Sequence, residues 1–214
     1  TIYYGTDRLY RSPDNGTNHA VVSQAFGTPL SAIGISPQND NVRIVGQSNG
    51  GLFGTNTGST TLDNWDQSSQ VTNGFIARTA IDPNNVSIGY VTVANFGVPN
   101  VFKSTNINSG NPTWTNISGT IPAVPVSAFV VDPTNSNTLY AGTDIGVYAS
   151  TDGGANWVPF GTGLPRVAVF DMAITSGSPR KLRVATHGKG MYEISLAAST
   201  VRSPFDFDGD SKTD

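Results

Sequence analysis

Residues 127–152, SAFVVDPTNSNTLYAGTDIGVYASTD, read as a strand, a polar turn, a second strand, a short glycine-containing loop and a third strand. The same order recurs along the chain in residues 31–56, 77–106 and 170–196. The turn prolines Pro37, Pro83 and Pro133 lie 46 and 50 residues apart, a period typical of a four-stranded propeller blade. The repeat therefore predicts an all-β chain folded as a β-propeller of four-stranded antiparallel blades.

Five such units are expected in residues 1–197. Apolar residues recur at every second position, as in Phe129 and Val131, and no apolar stripe with helical spacing appears. Residues 1–7, TIYYGTD, match residues 138–144, TLYAGTD, so the first unit lacks its innermost strand, and the last lacks a clear outermost one. The sequence is compatible with two arrangements of the ring. The five units form either a five-bladed ring closed by the termini or the last part of a ring of about seven or eight blades. The predicted units are about 1–27, 28–70, 71–118, 119–162 and 163–197.

The composition is that of a turn-rich β protein. The 214 residues are 37% hydrophobic and only 13% charged, against about 25% charged in average soluble proteins. The net charge is −3, and the sequence has no cluster of basic residues that could bind the phosphate backbone of a nucleic acid. No apolar run approaches the ~18 residues of a spanning helix, and the absence of cysteine excludes disulfides and thiolate metal sites. The chain starts at Thr1 without an initiator methionine or a signal-peptide pattern, so we expect a processed product or a fragment.

Residues 150–157, STDGGANW, follow a strand-like run and predict a sharp hairpin. The serine and aspartate side chains are expected to bond backbone amides of the turn, the second glycine to take a positive φ, and the tryptophan to wedge against the neighbouring sheet. The residues with these structural roles are Ser150, Asp152, Gly154 and Trp157 and, in a second copy at residues 12–19, SPDNGTNH, Ser12, Asp14 and Gly16. Two more divergent copies lie at residues 55–65 and 104–114.

This motif, Ser-x-Asp-x-Gly-x-x-Trp, resembles the Asp-box, or BNR repeat, of sialidase, sortilin and xyloglucanase propellers. The resemblance covers almost all of residues 1–197, and residues 164–174, LPRVAVFDMAI, followed by 184–194, VATHGKGMYEI, are similar to the closing blade of secreted bacterial propellers. It implies a bacterial extracellular or cell-surface protein. It also implies that the hairpins lie on the periphery of the ring, away from the face that binds ligands.

The ligand face is expected on the rim opposite the hairpins, where the loops between second and third strands meet the loops between blades. Its amides, exposed aromatic rings and few charges suit a glycan or a protein ligand. The candidate ligand-binding residues are Asp7, Arg8, Gln47, Asn49, Arg78, Asn95, Phe96, Asn100, Asp144, Arg166, Asp171, His187 and Lys189, with Phe75, Pro122 and Pro125 beside them.

Catalysis is not favoured, although two acids could serve it. A glycosidase needs two carboxyl groups about 5–10 Å apart. The acids available on the rim are Asp144, Asp171 and Asp7, and Asp144 and Asp171 are the alternative catalytic candidates. In the xyloglucanases that the chain resembles, the two acids come from two facing propellers, whereas this sequence holds one partial propeller. A sialidase would need a tyrosine–glutamate couple, and Glu193 is the only glutamate. We therefore expect a non-catalytic recognition or scaffold module; the alternative is a fragment of a xyloglucanase-like polysaccharide hydrolase.

The C-terminal residues 206–214, DFDGDSKTD, have the spacing of a calcium loop. Aspartates occupy its positions 1, 3, 5 and 9, and a lysine carbonyl can serve position 7. The stretch resembles FG-GAP repeats, although Ser211 stands where glycine is common. Calcium is the one cofactor expected, with ligands Asp206, Asp208, Asp210, Lys212 and Asp214. Residues 198–204 are then a linker and residues 205–214 a partial calcium-binding repeat, so further domains of the same polypeptide are expected partners.

Overall fold

The computed structural model describes residues 1–196, which form five antiparallel β-sheets in chain order. The first sheet consists of β1 (Ile2–Gly5), β2 (Leu9–Ser12) and β3 (Ala20–Val21). The second consists of β4 (Leu30–Ile35), β5 (Arg43–Gln47), β6 (Leu52–Thr55) and β7 (Asp63–Asn64). The third consists of β8 (Ile76–Ile81), β9 (Gly89–Val93), β10 (Val101–Ser104) and β11 (Thr115–Asn116).

The fourth sheet consists of β12 (Val126–Asp132), β13 (Asn135–Thr143), β14 (Gly146–Ser150) and β15 (Val158–Phe160). The fifth consists of β16 (Val169–Ile174), β17 (Lys181–Thr186) and β18 (Gly190–Ser195). The only helical segment in the described residues is a single 3-10 turn, Ile107–Ser109. The predicted all-β propeller is confirmed: three sheets have four strands, the first lacks its innermost strand, and the last has no fourth strand among the described residues.

The sheets pack face to face in chain order, with their first strands side by side. Strand β4 packs on β8, β8 on β12, and β12 on β16. An apolar cluster fills each gap; between the third and fourth sheets it includes Tyr90, Val101 and Leu139. Within residues 1–196 no extended contact joins the fifth sheet to the first. The described sheets therefore form an open series, and not the five-bladed ring closed by the termini that the sequence left as one alternative.

The loops divide between two rims. We call one of them the loop rim. There, in the second to fifth sheets, the loop between the second and third strands is hydrogen-bonded to the loop that precedes the sheet. The backbone N–H of Ala94 donates to the Phe75 carbonyl (2.9 Å), and that of His187 to the Ala168 carbonyl (2.8 Å). On the other, the hairpin rim, the turns between first and second strands meet the hairpins between third and fourth strands. The N–H of Gly58, for example, donates to the carbonyl of Asn41 (3.0 Å).

Side chains on the hairpin rim also connect one sheet to the next. Gln38 of the second sheet donates to the Pro83 carbonyl of the third (2.9 Å). The Ser136 hydroxyl of the fourth donates to Asp82 of the third (2.9 Å). In the fifth sheet, Arg180 of the turn between β16 and β17 pairs with Asp132 of the fourth (2.5 Å). We call this series of contacts the hairpin-rim belt.

Candidate functional site

The hairpin of residues 150–157 is held by its own side chains. The Ser150 hydroxyl donates to Asp152 Oδ1 (2.7 Å) and accepts the N–H of Gly154 (2.9 Å). Asp152 also accepts the backbone N–H (2.9 Å) and the side-chain amide (2.8 Å) of Asn156. Gly154 has a φ of 99°, a value that a side chain would strain. The Trp157 indole donates to the Ile117 carbonyl of the preceding sheet (2.8 Å).

Two of the three other copies repeat this geometry at least in part. In the first sheet, Asp14 accepts the Ser12 hydroxyl (3.0 Å) and the backbone N–H of Asn18 (2.9 Å), and Gly16 again has a φ of 99°. In the third sheet, Asn106 takes the place of the acid and accepts the N–H of Thr113 (2.9 Å). The asparagine that precedes the aromatic position, Asn18 or Asn156, is a partner that the sequence analysis missed.

Hydrogen bonds from Asn18 and Asn156 lower the pKa of Asp14 and Asp152, respectively, to about 2. Both carboxyl groups are therefore ionised at neutral pH, and every recorded partner is a donor within their own hairpin. A general acid in a glycosidase needs a raised pKa instead. The hairpin acids consequently have the geometry of turn-forming groups.

Most of the predicted ligand-binding residues lie at the loop rim, but two of them are buried. Gln47 donates to the Thr28 carbonyl (2.9 Å). Asn100 donates to the carbonyls of Val93 (2.7 Å) and Asn95 (2.6 Å). The prediction that these two amides face a ligand is wrong, because both side chains are committed to holding loops in place. Exposed or partly exposed side chains at the rim are those of Asp7, Arg8, Asn49, Asn95, Phe96, Asp144, Arg166, His187 and Lys189.

Arg78 and Asp171 lie in strands β8 and β16, and not in the loops between blades where the sequence located them. They form an ion pair that spans from the third sheet to the fifth. All four first strands carry a β-bulge at their loop-rim end, and the residues that follow the bulge are Ala32, Arg78, Ala128 and Asp171. Bulges re-aim side chains; the residue after the bulge is charged in the third and fifth sheets, whereas in the fourth it is the fully buried Ala128.

Exposed phenylalanine side chains lie at the loop-rim ends of both strands that carry this ion pair. Phe75 directly precedes β8, and its N–H donates to the side chain of Asn95 (3.3 Å), next to Phe96, whose ring is 69% exposed. On the fifth sheet, exposed Phe170 precedes Asp171 and packs edge-on against His187, with ring centroids 5.3 Å apart. Phe170, at the bulge position of β16, is not among the binding residues predicted from the sequence. We call Phe75, Arg78, Phe96, Phe170 and Asp171 the Arg78–Asp171 cluster.

A separate cavity of about 330 Å³ lies beside Arg166, between the outer strands of the fourth sheet and the loop into the fifth. Ile145, Tyr148, Phe160 and Leu164 contribute to its wall. It contains none of the other predicted rim side chains, so Arg166 is apart from the Arg78–Asp171 cluster.

Within residues 1–196 no group of three or more histidine, aspartate or glutamate side chains could hold a metal ion. The predicted calcium ligands Asp206, Asp208, Asp210, Lys212 and Asp214 lie outside the described residues, as do the predicted linker and partial repeat, so these stay predictions. In the described part of the chain, no helix has the length and hydropathy needed to cross a membrane.

Models of known protein families give no match to the chain, and neither do curated protein sequences. Solved structures do match. A GH74 enzyme of Niastella koreensis is 20% identical with a TM-score of 0.69, covering 88% of this chain and 33% of its own. The GH74 xyloglucanase of Xanthomonas campestris is 15% identical with a TM-score of 0.68, covering 90% and 34%. A nidogen/laminin complex chain is 12% identical with a TM-score of 0.67, covering 90% and 72%.

The chain thus spans about a third of the length of the GH74 enzymes it matches. At these identities the likeness shows the fold alone. The chain is a series of β-propeller blades similar in fold to those of GH74 enzymes.

Proposed function

We propose that this chain is an extracellular recognition module that binds a glycan on its loop rim, at the Arg78–Asp171 cluster. The observation that carries the proposal is the ion pair that joins Arg78 and Asp171 of two different sheets on a rim that also exposes three phenylalanine side chains, Phe75, Phe96 and Phe170. Exposed aromatic side chains grouped with a few oriented polar groups are typical of binding sites.

The chemistry of the cluster suits a neutral, hydroxyl-rich ligand. Sugar rings present C–H groups that pack on aromatic faces, and hydroxyls that bond charged and amide side chains. Arg78 offers N–H donors, and Asp171 offers carboxylate acceptors. Because the two charges compensate each other, the cluster favours neither an anionic nor a cationic ligand.

Binding is better supported than hydrolysis. Asp171 is engaged by Arg78, whereas a glycosidase pair requires one carboxyl group as acid and a second within about 5–10 Å. Asp144, the other candidate acid, is partly buried, with its backbone N–H bonded to the Pro125 carbonyl (3.3 Å). The fold likeness to GH74 enzymes makes a plant-type polysaccharide the first ligand to test, and a fragment of a hydrolase the second candidate.

Affinity gel electrophoresis and calorimetry with soluble xyloglucan, and with a β-glucan lacking side branches, test the proposal. We expect Phe96→Ala and Arg78→Ala each to weaken binding at least ~5-fold, since each removes one side chain of the cluster. The matched controls are Val158→Ala, an exposed apolar residue on the outer strand β15, and Lys181→Ala, in an exposed ion pair of the fifth sheet. Equal losses in cluster and control variants, or no binding of either polymer, would overturn the proposal.

A reducing-sugar assay on the same polymers separates the two candidates. A binding module releases no new reducing ends, with or without Asp171→Asn. Release of reducing ends that Asp144→Asn or Asp171→Asn abolishes would establish the hydrolase instead.

We also propose that residues 206–214 bind calcium, because four aspartates at loop positions 1, 3, 5 and 9 can converge on one hard cation. A chain extended past Asp214 should gain thermal stability in millimolar calcium, since the ion binds the folded state. Asp208→Ala should abolish that gain. A calcium-independent melting curve of the extended chain would refute the assignment.

A further inference from the structure

The dipeptide asparagine–glycine occurs three times in the chain, at Asn15, Asn49 and Asn73. Asparagine is one of the chemically labile residues. It is most labile before glycine, because no side chain hinders the attack of the following backbone nitrogen on the asparagine side chain. That nitrogen must give up its proton to react, so a hydrogen bond that holds its N–H protects the asparagine. The three sites can therefore be ranked by the bonds that their glycine N–H groups make.

At the first two sites the glycine N–H is held. The Gly16 N–H donates to the Ser12 hydroxyl (2.8 Å) inside the hairpin of the first sheet. The Gly50 N–H donates to the Gln47 carbonyl (3.1 Å) in the loop between β5 and β6. At both sites this bond must break before the nitrogen can react, and breaking it costs free energy.

The third site lies in the loop that leads from the second sheet into the third, and it is not held. Asn73 is exposed, and within residues 1–196 neither its side chain nor the Gly74 N–H has a hydrogen-bond partner. The side-chain oxygen of Asn73 and the Gly74 nitrogen both face Gly50, where an added methyl group would lie 2.4 Å from the oxygen and 3.0 Å from the nitrogen. The reacting groups thus lie beside a residue whose lack of a side chain leaves both unobstructed.

We propose that Asn73 is a site of spontaneous deamidation. The Gly74 nitrogen loses its proton and forms a bond to Asn73 Cγ, the Cγ–Nδ2 bond breaks, and the side-chain nitrogen takes up a proton and leaves as ammonia. Water then opens the resulting cyclic imide at either of its two carbonyl groups. Opening at Cγ gives aspartate, and opening at the main-chain carbonyl gives isoaspartate, in which the chain continues through the side chain. Either product adds a negative charge.

The modification falls beside the proposed ligand site, so its consequence for ligand binding rests on the proposed function. The Phe75 N–H donates to the Asn95 side chain (3.3 Å), next to exposed Phe96. The loop passes close to Asn95, because a methyl group on Gly74 would lie 2.6 Å from the Asn95 amide nitrogen. Isoaspartate lengthens the main chain at this tight point, and thus displaces Phe75. Modified chains should therefore bind the glycan more weakly.

Peptide mapping by mass spectrometry, after incubation of the chain at mildly alkaline pH, tests the inference. Trypsin cleaves after Arg43 and Arg78, so one peptide contains both Asn49 and Asn73. In the folded chain Asn73 should convert at least ~5-fold faster than Asn49 or Asn15, the effect of a single hydrogen bond on the attacking nitrogen. In urea the three rates should become similar. Equal rates in the folded chain, or the same ranking in urea, would overturn the inference.

Xyloglucan binding by fresh and incubated protein measures the consequence at the loop rim. Asn73→Gln blocks the reaction, because a longer side chain closes the ring far more slowly, and this variant should keep its binding on incubation. Asn15→Gln, at the protected site in the first hairpin, is the matched control and should lose binding as the wild type does. Equal loss in the two variants would refute the effect on binding. If neither fresh nor incubated protein binds the polymer, the proposed function fails, whereas the modification is judged by the peptide map alone.

Discussion

Asp152 is an exposed carboxylate whose surroundings consist of donors from its own hairpin. The backbone and side-chain N–H groups of Asn156, with the Ser150 hydroxyl, lower its pKa to about 2. In the unfolded chain the same group has its ordinary pKa of 3.8. The folded state therefore binds this proton less readily than the unfolded state does.

We predict that Asp152→Asn changes the acid dependence of stability. The contribution of a carboxyl group with a depressed pKa is fully present above its unfolded pKa, near pH 4, and is lost as the pH falls towards 2. The variant should thus be less stable than the wild type at pH 7, and the difference should shrink between pH 4 and pH 2. Thermal unfolding across this range measures it; a constant difference down to pH 2 would contradict the assignment.

The hairpins owe their position to the sheet in front of them. The Trp157 indole bonds the Ile117 carbonyl (2.8 Å), and the Thr120 hydroxyl of the same neighbouring loop bonds the Trp157 carbonyl (2.5 Å). The ring is 3% exposed within the apolar cluster between the third and fourth sheets. Trp157 thus connects its own hairpin to the packing of the third sheet against the fourth.

Trp157→Ala is expected to lower the free energy of unfolding by about 3–5 kcal/mol, as for other large buried aromatic residues. Asp144→Ala, at the loop rim, should change it by less than about 0.5 kcal/mol. Chemical denaturation of both variants provides the comparison. Equal shifts of the two midpoints would refute the division into a structural hairpin and a loop rim free for binding.

The sheets could be read from the sequence because their signals are local. Alternating apolar residues mark the strands and prolines mark the turns between them. All the strands of one sheet therefore lie within about 50 residues, the length of one blade unit. The Arg78–Asp171 pair could not be read in this way, since its members are 93 residues apart and belong to two sheets, the third and the fifth, that are not neighbours in the series.

The burial of Gln47 and Asn100 was missed for a related reason. An amide near a loop looks the same in sequence whether it faces solvent or satisfies buried carbonyls. Phe170 was overlooked because a phenylalanine in a strand-like run is expected to be in the core. Sequence patterns therefore located the loop rim, but which of its side chains are exposed is decided by packing between blades.

Across the molecule, the hairpin-rim belt resists separation of the sheets. Burial alone would raise the pKa of Asp132, but hydrogen bonds from Arg180 of the fifth sheet and from Thr134 outweigh it and keep the pKa below its ordinary value. The Asp132 side chain is only 5% exposed. Removal of Arg180 would leave that carboxylate nearly buried without its cation.

Arg180→Ala should therefore destabilise the chain by about 1–3 kcal/mol, the cost of leaving a buried charge-bearing group with fewer partners. Arg183→Ala breaks an exposed ion pair of the same sheet and should cost less than about 1 kcal/mol. Urea unfolding of both variants compares the two losses of unfolding free energy. Equal destabilisation would mean that the belt adds nothing beyond a surface ion pair.

The self-contained bonding of the hairpins also bears on the kinetics of folding. Ser150, Asp152 and their partners lie at most four residues apart, so the turn can close before any two sheets meet, on the microsecond scale of hairpin formation. Five similar sheets offer a nascent chain many wrong strand partners, and a slip of one residue turns every side chain to the opposite face. A turn that closes early fixes the register of its two strands, and so removes most of these misfolded pairings before the slower docking of blades begins.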